Sequence, residues 1–211
     1  VEYSQNAVNQ AKKLYNQQRD LFNISHGDAQ CLNFKDESFD GVFSHAALEH
    51  VQNPHKAFSE IDRVLKKGGK AFIHPAWNCR PWTVIRLETR NYKELSFILK
   101  IAKFLIPLRN NILFRALLAI PRRLINEVNL IKRQPIKLHY KKLSPRWDLI
   151  KKYGHISDDD ALASIDPHSA IIFFLSRGYK ILSHKNLFKR LIATHQAVII
   201  EKKIHNFYSI N

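Results

Sequence analysis

Apolar and polar positions along this chain follow two rhythms. In residues 4–19, Ala7, Val8, Ala11, Leu14 and Tyr15 recur at helical spacing and predict a helix with one apolar face. Residues 21–25 read as a short strand, Gly27-Asp28 as a turn, and residues 38–44 (SFDGVFS) as a second, apolar strand. Residues 54–65 (PHKAFSEIDRVL) predict an amphipathic helix with Pro54 in its first turn. The run Lys66-Lys67-Gly68-Gly69 predicts its end, through basic residues and a glycine cap. Residues 70–74 (KAFIH) form the next strand. Toward the C-terminus, residues 166–177 predict a helix stopped by Gly178, residues 179–183 a strand, and residues 194–202 (THQAVIIEK) a last strand. Strands alternating with helices predict βαβ units and an α/β fold with a parallel sheet.

Residues 80–153 break that rhythm. Residues 95–108 and 112–120 read as apolar helices interrupted by Lys100, Lys103, Arg109 and Arg115 and ended by Pro107 and Pro121. No stretch reaches the roughly 18 consecutive apolar residues of a spanning helix. The pattern therefore divides the chain into an α/β part over residues 1–79, a helical insertion or cap over 80–153, and a return to the α/β part over 154–211.

Charge sharpens that division. Of the formal net charge of +16, residues 1–79 contribute nothing, with nine basic and nine acidic side chains, whereas residues 80–153 hold eighteen basic and four acidic ones. A nucleic-acid surface would have to lie in that middle segment, which contains no recognisable RNA-binding motif, so nucleic acid is disfavoured as a partner. Three readings of the segment stay open. It is a packed cap with a solvated basic face, a surface resting on an anionic membrane, or a holder for an anionic acceptor through Arg122, Arg123, Lys132 and Arg133. Hydrophobic residues at 45% exclude a wholly disordered chain, and two cysteines exclude a disulfide scaffold and suit a reducing, cytoplasmic setting. The sequence contains no methionine, so Val1 does not read as a translation start.

The candidate chemistry lies at strand ends, where ligands of open α/β sheets sit. Glu2 precedes the first helix, and an acidic side chain there can accept both hydroxyls of a ribose. In His26-Gly27-Asp28-Ala29, a carboxylate and a neighbouring backbone N–H can read an adenine edge. The strand ending in Ser44 leads into a loop from His45 to His50. His45, His50 and His55 are spaced by five, which turns successive side chains about 140° apart on a helix, so they share no metal-binding face. His155 with Ser157-Asp158-Asp159-Asp160 admits a metal reading, but the run suits a capped helix start better; no metal is expected. Trp77, Arg80 and Trp82 follow the strand KAFIH and serve equally as a sugar or anion contact and as an apolar anchor for the cap. Cys31 and Cys79 read as ordinary thiols.

Taken in order, VEYSQNAVNQAKK, GDAQCLNFKDESFDGVFSHAALEHVQNP and FSEIDRVLKKGGKAFI resemble the class I S-adenosylmethionine-dependent methyltransferases over about residues 1–75. Residues 166–202 resemble the C-terminal helix–strand–strand of that family. The resemblance implies a Rossmann-like sheet lacking its first strand and glycine-rich loop, with the α-helical insertion, because the matching region begins at the acidic residue. It implies S-adenosyl-L-methionine as cofactor, with Glu2 at the ribose, Tyr3 on the adenine, Asp28 and Ala29 at the adenine edge, and Ser44 and His45 near the methionine part. Glu49 would face the acceptor, together with Trp77, Arg80 and Trp82, and His50 is the candidate base. A looser resemblance of IPLRNNILFRALLAIPRRL and SDDDALASIDPHSAIIFFLSRGYKIL to methyltransferases of bacterial surface-glycan clusters implies a small-molecule or lipid-linked, possibly sugar-bearing, acceptor. It also suits peripheral contact with the inner membrane face. The rival expectation is a catalytically silent module whose basic helices bind a membrane surface or nucleic acid.

Overall fold

The computed structural model describes residues 1–15, 21, 23–132 and 135–204. Helix α1 (Gln5–Leu14) starts at Ser4, whose hydroxyl accepts from the Ala7 N–H; the rest of the helix predicted to residue 19 lies outside the described residues beyond Tyr15. Among the described residues of the expected strand over 21–25, Leu21 and residues 23–25 take no strand conformation. Next to them His26 makes a parallel bridge to Glu2, fixed by Glu2 N–H to Ser25 O and Gly27 N–H to Glu2 O, each 3.0 Å.

Strand β1 (Phe39–His45), helix α2 (Pro54–Val64) and strand β2 (Leu65–His74) form the βαβ unit read from the sequence, and β1 runs parallel to β2. The predicted glycine cap is absent. Leu65 is already extended and Lys66-Lys67-Gly68-Gly69 lies inside β2, where the register slips from Phe39 opposite Leu65 to Gly41 opposite Lys70. Gly68 has φ +78°, and a Cβ on Gly69 would meet the backbone oxygens of Lys66 at 2.9 Å and Asp40 at 3.0 Å. The two glycines therefore make a bulge rather than a cap. Gly69→Ala should lower the melting temperature, because the atoms it meets are backbone and cannot move aside; Lys67→Ala in the same bulge is the control, with little change expected.

Helices α3 (Pro81–Val84), α4 (Phe97–Phe104), α5 (Ile106–Asn110) and α6 (Ile112–Ile131) follow. Pro107 begins α5 instead of ending a helix, and α6 runs ten residues past Pro121, which sits inside it. Strand β3 (Tyr140–Lys142), helix α7 (Trp147–Tyr153) and strand β4 (Ala163–Ile165) come next, with β3 antiparallel to β4; none of the three was predicted. Residues 157–160 form a turn, not the expected helix start, and Asp159 accepts from Ile156 N–H.

Helix α8 (Pro167–Leu175) is capped by Asp166, which accepts from His168 N–H. Pro167 through Phe174 are all buried, as an apolar-all-round helix must be. Strand β5 (Lys180–Ile181), helix α9 (Leu187–Leu191) and strand β6 (Val198–Glu201) complete the chain. The sheet order is β1-β2-β6-β5, with β6 antiparallel to both neighbours. This is a mixed α/β, Rossmann-like sheet, and its core joins Phe58 and Ile61 of α2, Ile73 of β2, Phe173 and Phe174 of α8 and Ile200 of β6.

Helix α6 is attached by charge. Arg123 bonds both carboxylate oxygens of Asp166 and the carbonyls of Leu191 and Ala193, and Arg122 adds a bond to Asp166. Burial would push Asp166 up, but the charge of Arg123, then of Arg122, holds it below the usual carboxylate range. Burial likewise opposes ionisation of Glu127, yet its hydrogen bonds from Arg190 and His168 win and hold it at about 2. So Arg122 and Arg123, which one of the three open readings gave to an anionic acceptor, are occupied by the protein's own carboxylate. Lys132 is exposed at the end of α6, and Arg133 lies outside the described residues.

Candidate functional site

The carboxyl ends of β1 and β2 open onto two cavities that meet at His45 and Ala46. The first, about 620 Å³, lies along the outer edge of β1, between it and the Glu2–His26 bridge. Glu2, Ala29, Ser44 and His45 line it, with Phe39, Val42 and Leu48 as apolar wall. Ser44 pairs with Ile73 and His45 with His74 in the parallel ladder, so strand register fixes where both point. Ala46, next in chain, takes φ +46° and donates to His74 O, which turns the backbone away from the sheet at the cavity mouth.

The expected cofactor residues are only partly gathered there. Glu2 accepts from Ser4 N–H through Oε1 at 2.8 Å, which leaves Oε2 for a ligand hydroxyl. Asp28 does not line the cavity: its carboxylate is held by the backbone and side-chain amides of Gln30. Tyr3 is exposed and stacks toward His26 with ring centroids 6.4 Å apart, also outside the cavity wall. Among the described residues no acceptor takes the Ala29 N–H, so a backbone donor stands open beside the apolar wall.

The second cavity, about 590 Å³, continues past the end of β2. Glu49, Trp77 and Arg80, three of the residues expected to face an acceptor, line it, and Trp82 lines a neighbouring hollow together with Arg80. Glu49 is the unusual group. Its side chain is 1% exposed, and its Oε2 has no hydrogen-bond partner. A buried, unpaired carboxylate oxygen at a cavity wall is a costly arrangement that a bound donor would relieve. His50 lines neither cavity; its ring lies 3.6 Å from Glu49 Oε1 and 3.5 Å from Asp160. Trp77 is buried and donates to Gln196 O, so it anchors the wall.

Cys79 also lines this cavity, but burial, with the charges of Asp158 and Glu49, pushes its thiol up to about 12, and it donates to Ala76 O. It is no nucleophile at neutral pH. His155, Asp159 and Asp160 bring ligand atoms within 4.8 Å of one another. The Asp159 side chain is buried against Arg86, however, at 3.7 Å. Sequence reasoning missed Arg115, which lines both the 590 Å³ cavity and the hollow beside Trp82.

Two cavities that meet at the carboxyl edge of an α/β sheet lie where ligands of open α/β sheets sit. Residues 1–73, about a third of the chain, match the family described as a methyltransferase domain. Over 58 residues the chain is 43% identical to a demethylmenaquinone methyltransferase of Streptomyces avermitilis, covering 26% of this chain and 25% of that enzyme. Over 62 residues it is 37% identical to phosphoethanolamine N-methyltransferase 2 of Caenorhabditis elegans, covering 29% and 14%. The chain thus spans a quarter or less of the length of these two curated relatives. The solved PH0226 protein of Pyrococcus horikoshii is 28% identical, with 44% of this chain and 42% of that one covered and a TM-score of 0.34.

Proposed function

We propose that the chain carries part of an S-adenosylmethionine-dependent methyltransferase that acts on a small or lipid-linked acceptor. The observation that carries this reading is the match of residues 1–73 to the methyltransferase domain, joined to two cavities that meet at His45. The cofactor supplies an electrophilic methyl group on a sulfonium. Glu2 Oε2 and the Ala29 N–H would bind its nucleoside part, and Ser44 and His45 its amino-acid part. Those four residues fit the group, whereas Asp28 and Tyr3 would have to reorient to reach it. Glu49 Oε2 would accept a hydrogen bond from the acceptor hydroxyl or amine, which orients its lone pair; alignment of this kind supplies much of the rate in a direct displacement. His50 would position Glu49 from behind.

A lipid-linked acceptor, and a surface resting on a membrane, is favoured by one observation. Leu113, Leu117, Leu124, Ile125, Val128 and Ile131 of α6 are 43–78% exposed. Among the described residues no helix is long and apolar enough to cross a membrane.

The experiment is a calorimetric titration of S-adenosylhomocysteine into the folded chain and into Glu2→Ala. Micromolar binding that weakens about tenfold or more in the variant is expected, the scale of one hydrogen bond to a charged group. Absence of binding by the folded chain would remove the cofactor reading and leave the helical segment as the functional surface.

A further inference from the structure

Helix α6 is inside out. At 100° per residue, Leu113, Leu117, Leu124, Val128 and Ile131 fall within an arc of about 60°, and all of them are exposed. Arg115 and Arg122 project from the opposite side, while Arg123 and Glu127 flank the stripe about 80° and 40° from its edge. Arg122, Arg123 and Glu127 are satisfied by ion pairs with Asp166, His168 and Arg190. Arg115 is not so paired. Its guanidinium forms no hydrogen bond or ion pair among the described residues, and neither does that of Arg80.

These two meet Arg109 around a hollow of about 220 Å³ between α3 and the first half of α6. Three guanidinium groups line it, and no carboxylate does. Arg109 lies over the Trp82 ring, 5.7 Å from its centroid, which leaves its N–H groups uncommitted. Burial, then the like charge of Arg80, lowers the pKa of Arg115 from its usual value; Asp166 only partly offsets this. Such a cluster lacks an anion. The hollow is continuous with the acceptor-side cavity through Arg80 and Arg115, and its opposite rim is apolar: Phe114 and Leu118, the latter 67% exposed. Leu118, also exposed, lies about 80° around the helix from the nearer edge of the outward stripe.

We propose that this hollow binds the phosphate of an amphiphile, held by Arg80, Arg109 and Arg115, with its apolar chain lying along the exposed stripe of α6. A phosphate monoester matches the site because it brings close to two negative charges and three acceptor oxygens to guanidinium forks that bind such oxygens in pairs. The hollow shares Arg80 and Arg115 with the cavity that Glu49 lines, so an amphiphile carrying a hydroxyl or amine on its head group would be the methyl acceptor. That last step rests on the methyltransferase reading; the binding site does not.

The test is a calorimetric titration of dodecyl phosphate, below its micelle-forming concentration, against inorganic phosphate and dodecyl maltoside. Dodecyl phosphate should bind about tenfold tighter than either. Arg115→Gln and Arg80→Gln should each weaken it about tenfold, the scale of a lost charge-assisted contact, while Arg146→Gln, at an exposed pair with Asp148, changes nothing. Leu117→Gln should weaken dodecyl phosphate and leave inorganic phosphate unaffected. If Arg115→Gln melts early, Arg109→Gln, on an exposed side chain, gives the same reading. Equal binding of inorganic phosphate, or of the maltoside, overturns the proposal, as does unchanged affinity in the folded arginine variants. A parallel titration with S-adenosylhomocysteine separates the two claims. Cofactor binding without dodecyl phosphate binding sinks this proposal alone. Dodecyl phosphate binding without cofactor binding sinks the acceptor assignment and keeps the site.

Discussion

Arg123→Ala should destabilise the fold by about 3–5 kcal/mol, the range for removing one partner of a buried ion pair. Arg123 is 3% exposed and makes four hydrogen bonds, two to Asp166 and one each to the carbonyls of Leu191 and Ala193. Its loss leaves Asp166 in the core with the half-exposed Arg122 as its one charged partner among the described residues, beside the His168 N–H. It also removes one tie between the end of α9 and α6, leaving the Arg190–Glu127 pair. Arg123→Lys should recover little, because an ammonium group has the charge but not the planar fork that reaches four oxygens at once. Chemical denaturation of the two variants decides the matter. A lysine variant as stable as the parent would mean that charge alone, not geometry, fastens α6.

That arginine also shows where reading the sequence stops. The βαβ unit was legible because its information is local: the SFDGVFS and KAFIH runs alternate correctly, and Asn53 and Pro54 begin α2 where a cap and a proline should. The helical segment was legible only as helices. Whether Arg122 and Arg123 face a ligand or a carboxylate depends on Asp166, more than forty residues away, and nothing local encodes that pairing. Pro121 misled for a related reason. It does break one backbone bond, but packing of α6 on α8 and α9 outweighs a single lost contact, and the helix runs on to Ile131. The β3–β4 pair was invisible because each strand has three residues, too short for alternation to register.

The candidate site divides in the same way. Glu49, Trp77 and Arg80 lie just beyond strand ends, where chain order alone predicts their meeting. Asp28 lies off the cavity wall because of a neighbour: the Gln30 side-chain amide, two residues on, donates to both of its carboxylate oxygens. Arg115 was missed because it was read as an interruption of an apolar helix. Its angular position, opposite the Leu113–Leu117 stripe, was available from the sequence and separates it from the exposed face. An outward apolar stripe with an inward arginine was the signal that went unused.

Phe173→Ala should cost about 3–5 kcal/mol, as for other buried phenylalanines, without changing what the folded molecule binds. The ring is fully buried and meets Phe58, Phe174 and His55 edge to face at 5.0–5.8 Å between centroids. The Arg177 guanidinium lies over it at 3.5 Å. The surrounding aromatic rings are rigid, so the cavity left behind should collapse poorly, which favours the upper end of the range. His55 would lose one wall of its pocket. Burial, then the charges of Arg177 and Lys137, lowers its pKa and favours the neutral ring, whose Nδ1 accepts from Leu138 N–H. Loosening it therefore loosens the tie between α2 and the segment leading to β3. None of these groups lines the two cavities at the ends of β1 and β2. Melting should therefore shift down by several degrees or more, while the folded fraction at low temperature keeps its affinity for S-adenosylhomocysteine. A loss of affinity at a temperature where the variant remains folded would instead mean that the packing of α8 on α2 sets the spacing of the loop from His45 to His50, and with it the place of Glu49.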